Sequence, residues 1–199
     1  MKPSHRRACA SMKFAWPGFH RMLASAVLMG MLSLVVHASQ QHSSRPSTES
    51  RSVNALLMSD IHFDPFQDPA KVEQLAVASI DDWPAILSGP SSPGKAAAFA
   101  RVRDKCEKEI FDTSPSLLSS TVNAASARRK TIDFAVLTGD LVAHDFFCRY
   151  EATLPGRSHQ EAQAFLERTI QYVIQTLSRA VTPKSMYVAL GNNDSDCGD

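Results

Sequence analysis

Ile132-Asp133-Phe134-Ala135-Val136-Leu137-Thr138-Gly139-Asp140 is the stretch on which the fold turns. Its short apolar run carries aromatic and β-branched side chains and stops abruptly at a glycine and a carboxylate. That is the pattern of a strand buried in a sheet. Downstream, Ser158 and Glu161 form a capping box. Phe165, Leu166, Thr169, Ile170, Val173, Ile174 and Leu177 then recur on one face of a helix that Pro183 ends. A further strand, Met186-Tyr187-Val188-Ala189-Leu190, runs into Gly191-Asn192. Upstream, Val53-Asn54-Ala55-Leu56-Leu57-Met58 is a third apolar run, ending in Ser59-Asp60. Between it and Ile132 lie a turn-rich stretch (64–69), a Pro/Gly/Ser loop (88–94) and Phe99, Val102, Cys106 and Ile110 at helical spacing. Ser114-Pro115 is an N-cap with proline at the first helical position, opening a second helix through Leu118 and Val122. Strand, helix, strand predicts a right-handed crossover and parallel strands buried on both faces, an α/β class.

Each of the three strands ends in a candidate metal ligand: Asp60 with His62, then Asp140, then Asn192. In open α/β sheets, ligands collect beyond the carboxyl ends of the strands, so three such ends can serve one site. Alternate residues leaving a strand point the same way, so Asp60 and His62 can face one ion. Gly139 and Gly191 remove a Cβ where the chain must turn sharply. Singly these dipeptides are ordinary turns; their order and common placement carry the signal.

With these residues the chain resembles the calcineurin-like metallophosphoesterase superfamily, whose ordered signature is D-x-H, G-D, then G-N-H-D/E. Here it is matched by Asp60-Ile61-His62, Gly139-Asp140 and Gly191-Asn192-Asn193-Asp194. Gly139-Asp140-Leu141-Val142-Ala143-His144-Asp145 is similar to the G-D-x-x-A-H-D of acid sphingomyelinase-like phosphodiesterases, and Gly191-Asn192-Asn193-Asp194 to the form in endopolyphosphatases and bacterial relatives. The resemblance implies the N-terminal half of a metallophosphoesterase-type β-sandwich flanked by helices. It implies two divalent ions, zinc by analogy with the sphingomyelinase branch, iron or manganese otherwise. Asp60 and His62 would bind the first ion, Asp140 would bridge, and Asn192 would bind the second, with an activated hydroxide attacking a phosphate ester.

The chain departs from the family at Asn193, where a histidine usually protonates the leaving oxygen. His144, four residues beyond Asp140, is the expected replacement, with a supporting role beside the ligands as the alternative. Asp194 is expected to orient the Asn192 loop with Asn193 beside it. Asp64, Asp68 and Asp145 read as turn or supporting groups, and Trp83, Phe146, Phe147 and Tyr150 as core. No histidine follows His159, whereas the family draws further ligands from later histidines. The chain alone is therefore expected to bind metal weakly, to be inactive and to leave one face of its sheet open. Polyphosphate hydrolysis and a non-catalytic fragment are the competing readings.

A hydrophobic share of 44% and a charged share of 21% place the 199 residues among globular chains, enough for one domain. A net charge of +1 argues against a nucleic-acid binder, which needs uncompensated basic surface, and the resemblance implies a phosphate-ester substrate as the partner. Basic residues from Lys2 to Arg21 precede an apolar run from Met22 to Val36, and Val36-His37-Ala38 offers a cleavage site. Residues 1–38 therefore read as a signal peptide for secretion or periplasmic export, with Met12 as an alternative start. The run is shorter than the roughly 20 residues of a spanning helix, which leaves an uncleaved anchor as the alternative. Residues 39–52 read as a polar linker before a domain over 53–199. Export makes disulfides admissible, with Cys106–Cys148 the preferred pair and Cys197 left over.

Overall fold

A computed structural model describes residues 52–106, 111–181 and 185–195. The expected signal peptide, the linker up to Arg51, Ile110, Pro183 and Cys197 lie outside them. Three short strands, β1 (Ala55–Met58), β2 (Phe134–Leu137) and β3 (Ser185–Val188), form one parallel sheet in the order β1-β2-β3. Six helices accompany them: α1 (Val72–Val77), α2 (Trp83–Ser88), α3 (Lys95–Lys105), α4 (Pro115–Ser126), α5 (Phe146–Thr153) and α6 (His159–Val181).

The local signals act where the sequence puts them. Ser114 Oγ accepts from the Leu117 backbone N–H at 3.0 Å, capping α4 with Pro115 in its first turn. At the start of α6, Ser158 N donates to Glu161 Oε2 (2.8 Å) and Glu161 N to Ser158 Oγ (3.2 Å), the reciprocal bonds of a capping box. Phe165, Leu166, Thr169, Val173 and Leu177 on α6 are buried. Trp83, Phe146 and Tyr150 join them in the core, while Phe147, partly buried, stacks on His159.

Pairing register separates the two faces of the sheet. Met58 pairs with Leu137, Leu56 with Ala135, and Ala135 with Met186; this face turns to the helices. Leu57 pairs with Val136 and Val136 with Tyr187 on the other face, where Leu57 is 70% and Tyr187 60% exposed. The expectation of strands buried on both faces therefore holds for one face only. The crossovers bring their apolar stripes to a single side, and no second sheet of a sandwich is present among the described residues. The α/β class stands, carried by one three-stranded parallel sheet with an open face. No helix among the described residues is long and apolar enough to cross a membrane.

Candidate metal centre

Past the ends of β1 and β2 the chain continues in register. His62 N donates to Asp140 O (2.8 Å), Phe63 N to Leu141 O (2.9 Å) and Ala143 N to Phe63 O (3.1 Å). On its other side Phe63 is bridged to Thr113: Thr113 N donates to His62 O and Asp64 N to Thr113 O, both at 2.9 Å. Three segments, 60–64, 112–114 and 140–144, are thus stitched together beyond the sheet.

Within this stitching Asp60, His62 and Asp140 take left-handed backbone conformations, with φ of 54°, 44° and 52°. Such conformations are uncommon for residues with a Cβ and cluster at functional sites. The turns gather one ligand atom from each side chain so that all lie within 4.8 Å of one another. Asp60 is the exposed member at 66%, and His62 is largely covered at 16%. His62 Nδ1 lies 3.3 Å from the Val142 carbonyl, which leaves Nε2 for a ligand role, 3.8 Å from Asp60 Oδ1. A carbonyl on the far ring nitrogen is the arrangement that holds a metal-binding imidazole in one tautomer. Two carboxylates and a neutral imidazole nitrogen suit zinc, iron or manganese.

The third strand end is brought close by glycine and by Asp194. A Cβ on Gly139 (φ 103°) would sit 2.5 Å from Gly191 N, and one on Gly191 would collide with the Asp140 carboxylate. Buried Asp194 accepts from Leu141 N (2.7 Å) and Val142 N (3.1 Å) through Oδ1, and from Gly191 N (2.9 Å) through Oδ2. It therefore ties the backbone at the start of the Asn192 loop to the chain after Asp140. Asn193 contributes its backbone N–H, donated to Asp140 Oδ1 at 3.1 Å. Asn192 is exposed at the mouth of this loop.

His144 stacks on His62, with ring centroids 4.1 Å apart and planes 17° apart. Its Nδ1 is 2.6 Å from Oδ1 of Asp112, a residue that sequence reasoning missed. Asp112 is 1% exposed and stands 2.7 Å from Arg149 Nη2 through its other oxygen, an ion pair outside hydrogen-bond angles. Arg149, equally buried on α5, donates through Nη1 to Asp64 Oδ2 at 2.8 Å, while Asp64 Oδ1 accepts from Phe66 N. Burial pushes the Asp64 carboxyl up from 3.8 to about 6 against the opposing pull of Arg149. His62, Asp112 and His144 also lie within metal-ligating distance of one another. Asp112 is committed to His144 through Oδ1 and ion-paired with Arg149 through Oδ2, and the Nδ1 atoms of both rings are also engaged. Cys106 and Cys148 are joined in a disulfide with Cα atoms 5.9 Å apart, tying the end of α3 to α5 beside Arg149. Compared with known proteins, the chain matches no family model, no curated protein and no solved structure.

Proposed function

We propose that this protein is an exported two-metal phosphoesterase of the phosphodiesterase type. The observation that carries the reading is the convergence of Asp60, His62 and Asp140 beyond two adjacent parallel strands, each on a strained left-handed turn. Asp60 and His62 would hold one ion, Asp140 would serve both, and Asn192 would serve the second through its amide oxygen. Zinc fits this donor set, with iron or manganese as alternatives. A bound pair of such ions neutralises phosphate oxygens and acidifies water near pH 7.

The remaining work falls to the chain itself. The Val142 carbonyl orients His62, and Asp194 holds the Asn192 loop against Asp140. His144 keeps Nε2 available beside the ligands; as the imidazolium it gives its Nε2 proton to the leaving oxygen and is left neutral with its proton on Nδ1, a role Asn193 has no acidic proton to fill. The Cys106–Cys148 disulfide supports export, because such bonds persist in oxidising compartments.

Zinc titration with elemental analysis tests the site. Asp140→Asn should weaken uptake by about tenfold or more. The full gene product should hydrolyse a phosphodiester in a panel that includes a phosphomonoester and polyphosphate. Failure of the wild type to take up any divalent ion, or uptake indifferent to Asp140→Asn, would sink the proposal.

A further inference from the structure

Asp112 is not among the ligand residues proposed above, yet its carboxylate is buried at this end of the sheet, with a side chain 1% exposed. Its oxygens are divided between two partners: Oδ1 faces His144 Nδ1 at 2.6 Å and Oδ2 faces Arg149 Nη2 at 2.7 Å. Arg149 is held from behind by Asp64, whose second oxygen is tied to the Phe66 backbone. The result is a buried row, Asp64, Arg149, Asp112, ending on the ring of His144. Backbone bonds fix both flanks of the row, since Thr113 is bridged to Phe63 and Asp64 to Thr113. The disulfide fixes a third, because Cys148 immediately precedes Arg149 and reaches back to Cys106.

We infer that Asp112 is a positioning residue for His144. Arg149 commits one oxygen, so the other must accept from His144, which places the ring proton on Nδ1 and leaves Nε2 to act at the ligand-bearing strand ends. Stacking on His62 then fixes the plane of the ring. The inference rests on the phosphoesterase reading for what Nε2 acts upon; the placement of the proton does not.

The chemistry of an amide makes this testable. In Asp112→Asn the carbonyl oxygen is drawn to Arg149, which can only donate, and the amide N–H₂ turns to His144. A ring facing a donor must accept at Nδ1, and its proton moves to Nε2. Nitrogen-15 NMR of histidine-labelled protein, at a pH where the rings are neutral, reads this directly. The expected result is Nδ1–H for His144 in the wild type and Nε2–H in Asp112→Asn, with zinc uptake changed less than about threefold, since Asp112 is not a ligand. Asp60→Ala should do the reverse, lowering zinc affinity by about tenfold or more while His144 keeps Nδ1–H. In the full gene product Asp112→Asn should cut kcat on a phosphodiester about 10²- to 10⁴-fold with KM little changed. An Nε2–H ring in the wild type, or an unaltered tautomer in folded Asp112→Asn, overturns the inference. The wild-type spectrum alone decides it if the variant does not fold. Absence of zinc uptake by the wild type refutes the metal reading separately, because the tautomer is read without metal.

Discussion

Replacing Arg149 by methionine keeps much of the side-chain length and removes the charge that two buried carboxylates share. Arg149 stands 2.8 Å from Asp64 and 2.7 Å from Asp112, and all three side chains are at most 1% exposed. Water cannot substitute for the lost guanidinium. Removing one partner of a buried pair costs about 3–5 kcal/mol, and orphaning two carboxylates places this variant at the upper end. Against the 5–15 kcal/mol of an ordinary domain that is a large fraction. For a chain of this length it corresponds to a fall in Tm of about 6–20 °C. The loss should also depend on pH. Asp64 already has its carboxyl pushed up to about 6 by burial, with Arg149 pulling the other way. Without Arg149 it rises further, so at pH 4 the carboxyl is neutral and the penalty shrinks, whereas at pH 8 the full cost appears. Urea unfolding followed by circular dichroism at both values measures this. A loss below about 1 kcal/mol at pH 8, or the same loss at both pH values, would refute the picture of a dry ion-paired row.

Three further outcomes follow from particular contacts. Replacing both Cys106 and Cys148 by serine opens a loop with a sequence separation of 42, for which chain entropy gives about 4 kcal/mol, read as a shifted urea midpoint; an unchanged midpoint contradicts it. Gly191→Ala drives a Cβ into the Asp140 carboxylate and to 2.5 Å from its backbone nitrogen. It should lower zinc affinity about tenfold or more, and calorimetry showing wild-type affinity would count against the closeness of the β2 and β3 ends. In chelator-treated protein, the Asp64 carboxyl, raised from 3.8 to about 6, holds its proton more tightly folded than unfolded. Its stabilising contribution is present below pH 4 and lost as pH rises through 6. Wild type should lose about 2 kcal/mol relative to Asp64→Asn between pH 4 and 7 in urea unfolding, and parallel pH profiles would exclude the shift.

What could be read without coordinates is what depends on near neighbours along the chain. Short continuous apolar runs mark β1, β2 and β3, and the Ser114 and Ser158 caps mark the starts of α4 and α6, because these are local matters of side-chain pattern and orphaned N–H groups. The candidate ligands Asp60, His62 and Asp140 were legible for the same reason: each sits two to four residues past a strand, and parallel strands in one sheet must point those ends the same way. Asn192, next to the third end, was placed by the same logic.

The tertiary structure decided what joins residues distant in sequence. Asp112 lies in the loop before α4 with no local pattern to mark it, and becomes part of the site only because 112–114 runs beside 62–64. Arg149 is one basic residue on α5, a helix with no legible start, until packing encloses it between two carboxylates. Which face of the sheet the helices cover is also a tertiary matter, since apolar side chains stand on both faces of its strands. Burial energy depends on area covered, and a linear pattern does not say what will cover it. The sequence by itself determined the strand ends and the candidate ligands beside them, while only the folded chain decided that Asp112 meets His144 and which face of the sheet the helices cover.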